Sequence, residues 1–313
     1  MRTDNDWAIV LAAGEGSRLA CLTRDEHGRV VPKQFCSLRG ERSLLQDALA
    51  RSRSIVPAER TLVVVAAQHR EFWQSDLADF PAANVIVQPR NRGTAIGILL
   101  PLAIVLERDP FARVVVLPSD HHVEREAVLA KSVELALAAI AEDSRRLVLL
   151  GISPTHAETD YGWIVPAEGD APLCRVRAFV EKPGPDAAGE LFETGALWNS
   201  FVFAAEAARL MGELAERLPL PVHEIRFALR RAAGQRRRAL ERAYERCAPR
   251  DFSREVLESS LASLFTHRVP ECGWTDLGTP QRLARCVRDL PPVRAENGER
   301  RLVLQRKLVG VVA

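Results

Sequence analysis

The sequence contains no apolar run close to the roughly 20 residues that a membrane-spanning helix needs. Its six cysteines (Cys21, Cys36, Cys174, Cys247, Cys272 and Cys286) include no C-x-x-C pair. That argues against a structural zinc site and for reduced thiols in a cytoplasmic protein. Met1 to Asp6 is polar and acidic and runs straight into a strand, so no signal peptide is expected. Charge of one sign is also missing: a formal net charge of +2 over 313 residues gives no whole-chain field for nucleic acid or an anionic membrane. Arginine does gather between Arg226 and Arg246, including Arg236, Arg237 and Arg238. Glutamate and alanine interleave there at helical spacing, so the stretch reads as a solvated helix face. There is no internal repeat and no low-complexity block.

What is present is alternation. Ala8 to Leu11, Leu62 to Ala66, Val85 to Val87, Val114 to Leu117 and Leu147 to Ile152 are short runs rich in Val, Ile and Leu, bounded by turn formers, and read as buried strands. Leu44 to Ile55, Thr94 to Glu107 and Arg125 to Glu142 carry helical periodicity. Strand–helix alternation predicts βαβ units and a mixed, mainly parallel sheet covered on both faces. Past Gly151 the rhythm changes. Gly162 to Pro166, Arg175 to Glu181, Ser200 to Phe203 and Leu264 to Val269 read as strands. A helical region spans Ala204 to about Leu261, and a last helix runs from Thr279 to Arg288. Pro291 and Pro292 predict a boundary, dividing the chain into a unit at 1–290 and a short β tail at 291–313.

The first strand runs into Leu11-Ala12-Ala13-Gly14-Glu15-Gly16-Ser17-Arg18. Glycines at a strand end let backbone N–H groups approach an anion closely. A dinucleotide fingerprint wants a third glycine where Leu19 stands, and no Gly-Lys-Ser/Thr follows, so a hydride-transfer Rossmann site and a P-loop are both disfavoured. Arg18 follows the second glycine by two residues, and Lys33 lies downstream in Pro32-Lys33-Gln34-Phe35. A forked guanidinium and a mobile ammonium beside such a loop suit a triphosphate.

Further segments follow in order: Gln88-Pro89-Arg90-Asn91-Arg92-Gly93-Thr94-Ala95, Pro118-Ser119-Asp120-His121, Asp160-Tyr161-Gly162-Trp163-Ile164, Phe179-Val180-Glu181-Lys182-Pro183, Trp198-Asn199-Ser200 and Trp274-Thr275-Asp276-Leu277-Gly278. As an ordered set over roughly residues 7 to 288, they resemble the mannose-1-phosphate guanylyltransferases, a branch of the sugar-phosphate nucleotidyltransferase superfamily. The resemblance implies a Rossmann-like, GT-A-like α/β fold. It also implies attack by mannose 1-phosphate on the α-phosphate of GTP, with pyrophosphate leaving. By resemblance, Asp120 and Asp276 hold Mg2+, and Arg18 and Lys33 bind the triphosphate. Lys182 grips the sugar phosphate, while Gly162, Glu181 and Asn199 meet the sugar. Leu11, Ala12, Gly14, Glu15, Gly16, Ser17, Gln88, Gly93 and Thr94 meet the nucleotide. His121 and His122, adjacent rather than at ligand spacing, read as supporting or solvent-facing residues.

The chain also departs from that family. Ala12-Ala13-Gly14 replaces the usual Ala-Gly-Gly, the loop Thr23 to Arg29 looks long, and Phe201 stands where glycine is usual. A bulky ring at 201 is expected to reshape the sugar pocket. The isomerase half of bifunctional relatives is expected to be absent. Rival readings are the same chemistry with another nucleotide or with a hexose or heptose phosphate, and a silent homologue that binds nucleotide sugars. The apolar tail is compatible with a homodimer.

Overall fold

The computed structural model describes residues 5–38, 40, 42–168, 171–288 and 303–304. Its first half comprises β1 (Asp6–Ala12), α1 (Leu44–Ile55), β2 (Thr61–Ala66), α2 (Arg70–Asp76), β3 (Val85–Gln88), α3 (Gly93–Arg108), β4 (Arg113–Pro118), α4 (Glu126–Glu142) and β5 (Leu147–Ile152). Its second half comprises β6 (Gly162–Pro166), β7 (Cys174–Glu181), α5 (Pro185–Glu193), β8 (Leu197–Glu206), α6 (Ala207–Arg217), α7 (Pro219–Leu229), α8 (Ala233–Arg246), β9 (Leu264–Val269) and α9 (Pro280–Arg288).

The described strands join in one nine-stranded sheet, ordered β3-β2-β1-β4-β8-β5-β9-β7-β6. β3, β2, β1 and β4 run parallel, as βαβ alternation requires. The sheet is mixed, as expected: its parallel pairs lie in this half and between β5 and β9. β8 enters antiparallel between β4 and β5, and β6 and β7 form an antiparallel hairpin. The physical reason is loop length. Only seven residues separate β6 from β7, too few for the crossover that parallel neighbours need.

Side-chain alternation along the strands divides the core into two layers. Ala8, Val10, Val63, Val65, Val115 and Val148 face α1 and α4, while Ile9, Leu62, Val64, Val114, Val116 and Leu147 face α3, α6 and α7. Both faces are therefore dry, which explains why these strands read as continuous apolar runs rather than alternating ones. α1 starts at Ser43 because the Ser43 side chain accepts from Gln46 N and the Gln46 side chain accepts from Ser43 N. Such a capping box contributes about 1 kcal/mol. α2 and α5 are short helices that periodicity does not single out, and Ala204 to Glu206 continues β8 instead of opening a helix. The expected β tail at 291–313 lies outside the described residues except Val303 and Leu304. Val303 makes a parallel bridge to Ser37, and Leu304 N donates to Ser37 O. Among the described residues no helix is long and apolar enough to cross a membrane, and all six cysteines are free thiols.

Candidate active site

The carboxyl ends of β1, β3 and β4 open onto one cleft of about 350 Å3, whose far wall comes from β6, β7 and β8. Open α/β sheets offer ligands such a crevice beyond their strand ends. From the parallel strands come Leu11, Gly14, Gln88 and Asp120. From the opposite wall come Gly162, Glu181, Lys182, Asn199 and Phe201, and Asp276 enters from the turn before α9. Arg18, Gly93 and Thr94 complete the rim. Residues scattered from 11 to 276 thus converge. Ala12 ends β1 and Glu15 and Gly16 lie in the loop after it, none of them lining the cleft directly, and Ser17 opens the single turn Ser17–Leu19 that follows.

The glycine loop is pinned from below. Gln34 Nε2 donates to Ala12 O at 3.0 Å and Gly14 O at 2.9 Å, and Ser119 Oγ donates to Leu11 O at 2.7 Å. Gly16 has φ +63°, and a Cβ there would stand 2.9 Å from Lys33 N. Glycine is therefore required for the loop to lie on the Lys33 segment. Glu15 faces away, accepting from Gln68 Nε2.

Lys33 is only 5% exposed. Its ammonium meets Asp120 Oδ2 at 3.0 Å and donates to Asp276 O at 2.6 Å and Leu277 O at 3.2 Å. The lysine expected on a triphosphate is thus sequestered beneath the cleft floor, because the turn Lys33–Phe35 packs its stem into the core. It ties together the two segments that carry Asp120 and Asp276. The same segments form a two-residue bridge, His122 with Thr275, through paired backbone hydrogen bonds. Burial opposes the charge of Asp120, but the Lys33 ammonium, by its charge and its hydrogen bond, outweighs it and holds the carboxyl below its usual range. Its side chain is 39% exposed, so an ionised carboxylate faces the cleft. His121 accepts from Trp274 Nε1 at 3.3 Å through Nδ1. Burial lowers its pKa to about 4, leaving a neutral ring that supports Asp120.

Asp276 is more heavily engaged. Its Oδ1 accepts from Tyr161 OH at 2.7 Å and Gly278 N at 3.0 Å, and Arg282 Nη1 lies 3.0 Å from each carboxylate oxygen. Arg18 Nη1 lies 3.2 Å from Asp160 Oδ2.

Across the cleft, Gly162 is the register partner of Glu181, and Asn199 stands beside them on β8. Burial pushes the Glu181 carboxyl up, and the nearby Asp251 charge adds to this, while Lys182 Nζ at 3.5 Å pulls the other way. Lys182 has φ +50° and Phe201 φ +58°. Non-glycine residues there cost roughly 1–3 kcal/mol and concentrate at functional sites. The Phe201 ring packs edge-on against Phe203 and Phe252 at the cleft wall, and its N–H donates to Asn199 Oδ1 at 3.1 Å.

Gln88 is 2% exposed, and its Oε1 has no hydrogen-bond partner among the described residues. Gly93 and Thr94 open α3, where Thr94 Oγ1 accepts from Phe252 N and Ala95 N donates to Arg250 O. This strap from 250 to 253 brings Asp251 and Ser253 into the cleft, two residues that sequence reasoning missed. Tyr161 and Asp160 sat within a recognised motif without a role. Arg282 had no signal beyond its place in the first turn of a helix after Asp276.

A strand-end cleft with a glycine loop and an ionised aspartate on one side and polar side chains on the other is an arrangement suited to a phosphorylated ligand. The nucleotidyl transferase family model matches residues 7–291, and the chain belongs to that family. It is 33% identical over 288 residues to mannose-1-phosphate guanylyltransferase RfbM of Salmonella typhimurium, covering 87% of this chain and 56% of that one. It is 30% identical to the mannose-1-phosphate guanylyltransferase ManC of the same organism, covering 96% and 63%. The chain spans a little over half the length of these relatives. Among solved structures, the protein described as mannose-1-phosphate geranyltransferase from Thermus thermophilus superposes with a TM-score of 0.78 at 29% identity, covering 92% of this chain and 80% of that one.

Proposed function

We propose that this protein transfers a guanylyl group from GTP to mannose 1-phosphate, giving GDP-mannose and pyrophosphate in the cytoplasm. The observation that carries the reading is the meeting of Arg18, Gln88, Asp120, Glu181, Lys182 and Asn199 in one cleft, in a chain alike over most of its length to proteins named for that reaction.

In this reading a phosphate oxygen of the sugar attacks the α-phosphorus. The bond from that phosphorus to the bridging oxygen of the β-phosphate breaks, and pyrophosphate carries the electron pair away. Both reactants are anions, so positioning and charge compensation dominate, and alignment alone contributes up to roughly 7–11 kcal/mol. The glycine loop and Arg18 receive the triphosphate, with Arg18 leaving Asp160 to do so. Lys182 holds the sugar phosphate, and Glu181 and Asn199 accept and donate to sugar hydroxyls. Gln88 Oε1 lacks a donor, and an unpaired buried acceptor costs about 1–3 kcal/mol. A base offering an N–H edge removes that cost. Guanine offers two such donors, and the named relatives favour it among the bases that qualify.

The donor set suits magnesium: Asp120 presents an ionised, half-exposed carboxylate, and Asp276 adds a second oxygen-bearing side chain on the same floor. Hard cations take one or two carboxylates and leave remaining positions to phosphates and water. When bound, the ion would neutralise charge on the transferring phosphate. Lys33 contributes by keeping the two aspartate segments together.

A matrix of nucleoside triphosphates against sugar 1-phosphates, read by pyrophosphate release with magnesium, tests the reading. GTP with mannose 1-phosphate should give the highest kcat/KM. A stronger signal from another pair would replace the substrates, and tight GDP-mannose binding without turnover would replace the enzyme by a binding homologue.

A further inference from the structure

We infer that Arg282 is a positioning residue whose guanidinium fork orients Asp276, the carboxylate proposed above to hold the metal. The inference rests on the metal reading above and adds a residue to it.

Arg282 sits in the first turn of α9 and is 8% exposed. Its Nη1 lies 3.0 Å from both Asp276 oxygens. Its Nη2 lies 2.6 Å from Glu158 Oε2 and 3.5 Å from Asp160 Oδ2. Its Cζ stacks 4.3 Å from the Tyr161 ring centroid, and the Tyr161 hydroxyl donates to the same aspartate. Three carboxylates therefore converge on one buried cation.

Only a planar, multi-donor cation meets these partners at once while lying flat on an aromatic ring; an ammonium supplies the charge without the fork. Gly278 shows how tightly the arrangement is built. A Cβ there would stand 2.5 Å from Asp276 Oδ2 and 2.9 Å from Arg282 Nη1. The same cation completes a chain of alternating charge. Arg18 meets Asp160, Asp160 meets Arg282, Arg282 meets Asp276, and Lys33 meets the Asp276 carbonyl and the Asp120 carboxylate. The triphosphate loop and the metal floor are thereby linked through side chains from four distant parts of the sequence.

Residues that orient metal ligands typically change metal affinity or activity by about 10–100-fold when lost. The test compares wild type with Arg282→Lys and Arg282→Met. One measurement is Mn2+ retention by the protein–GTP complex, read from the electron paramagnetic resonance signal of free Mn2+. The second is metal-free GTP binding by calorimetry, and thermal denaturation confirms folding. Mn2+ affinity should fall about 10–100-fold in the methionine variant and by an intermediate factor in the lysine variant, with metal-free GTP affinity within about twofold of wild type. Equal Mn2+ affinity in wild type and the folded lysine variant overturns the role of Arg282 alone. A parallel loss of metal-free GTP binding marks it as structural and overturns it too. Wild-type protein that adds nothing to the Mn2+ affinity of GTP itself overturns the metal reading, and the inference with it.

Discussion

Gly162→Ala is the most incisive perturbation of the sugar side. A Cβ at this position would stand 2.6 Å from Glu181 Oε2, 2.9 Å from Phe179 Cζ and 3.4 Å from Asn199 Cβ. Restoring ordinary contact of about 3.5 Å requires the first two to retreat by roughly 0.6–0.9 Å. Phe179 is packed in the core beneath the cleft, so the carboxylate of Glu181 yields first. A displacement near 1 Å in a positioned group costs up to about 10²-fold in rate. The expected loss in kcat/KM is therefore about 10–100-fold, or roughly 1.4–2.7 kcal/mol. It should appear in the KM for mannose 1-phosphate while the KM for GTP stays within about twofold, because Gln88 and Gly93 lie on the opposite wall. Pyrophosphate release measured against each substrate separately is the assay, with a melting curve to exclude misfolding. Unchanged sugar-phosphate kinetics in a folded variant would refute the placement of Gly162, Glu181 and Asn199 around the sugar.

Glu181 also predicts a pH effect. Its folded-state pKa is raised by burial and by Asp251, so its contribution to stability is full below the unfolded value and is lost as pH rises through the folded value. Glu181→Gln should stabilise the protein at neutral pH, and the wild-type-to-variant ratio of sugar-phosphate KM should grow as pH falls through the raised value; a flat ratio would exclude the carboxylate from sugar binding. Lys182→Ala should lower kcat/KM by about 10²–10³, and near-normal kinetics would take Lys182 out of the site. Gly93→Ala puts a Cβ 2.2 Å from Arg250 O at φ +81°, and should cost about 2–5 kcal/mol in urea denaturation; a change below about 0.5 kcal/mol would show that the strap 250–253 is free to move.

The half of the molecule built from βαβ units was legible in the sequence because both faces of its strands are dry. Ala8 to Leu11 and Val114 to Leu117 could be read as buried runs, and their carboxyl ends placed Asp120 at a crevice. The antiparallel half was legible in its strands but not in its pairing, since nothing local to Leu197–Glu206 reveals that it slots between two parallel units. The site was read through side chains carried by short motifs. Asp251 and Ser253 escaped because the 250–253 strap is placed by Gly93 and Thr94, more than a hundred residues away, and Arg282 escaped because a helical arginine six residues after Asp276 shows nothing of its direction until Glu158 and Tyr161 are packed around it. Lys33 was found but its direction was not. Burial of its stem is a property of the packed turn rather than of Pro32-Lys33-Gln34-Phe35.

β8 borders β4 along one edge and β5 along the other, and near its start it also touches β6. The wall proposed for the nucleotide and the wall proposed for the sugar are therefore stitched to one continuous hydrogen-bonded plate. Among the described strands no seam runs between them about which two halves could swing, so the spacing of the two walls is set by the register of β8 rather than by a hinge.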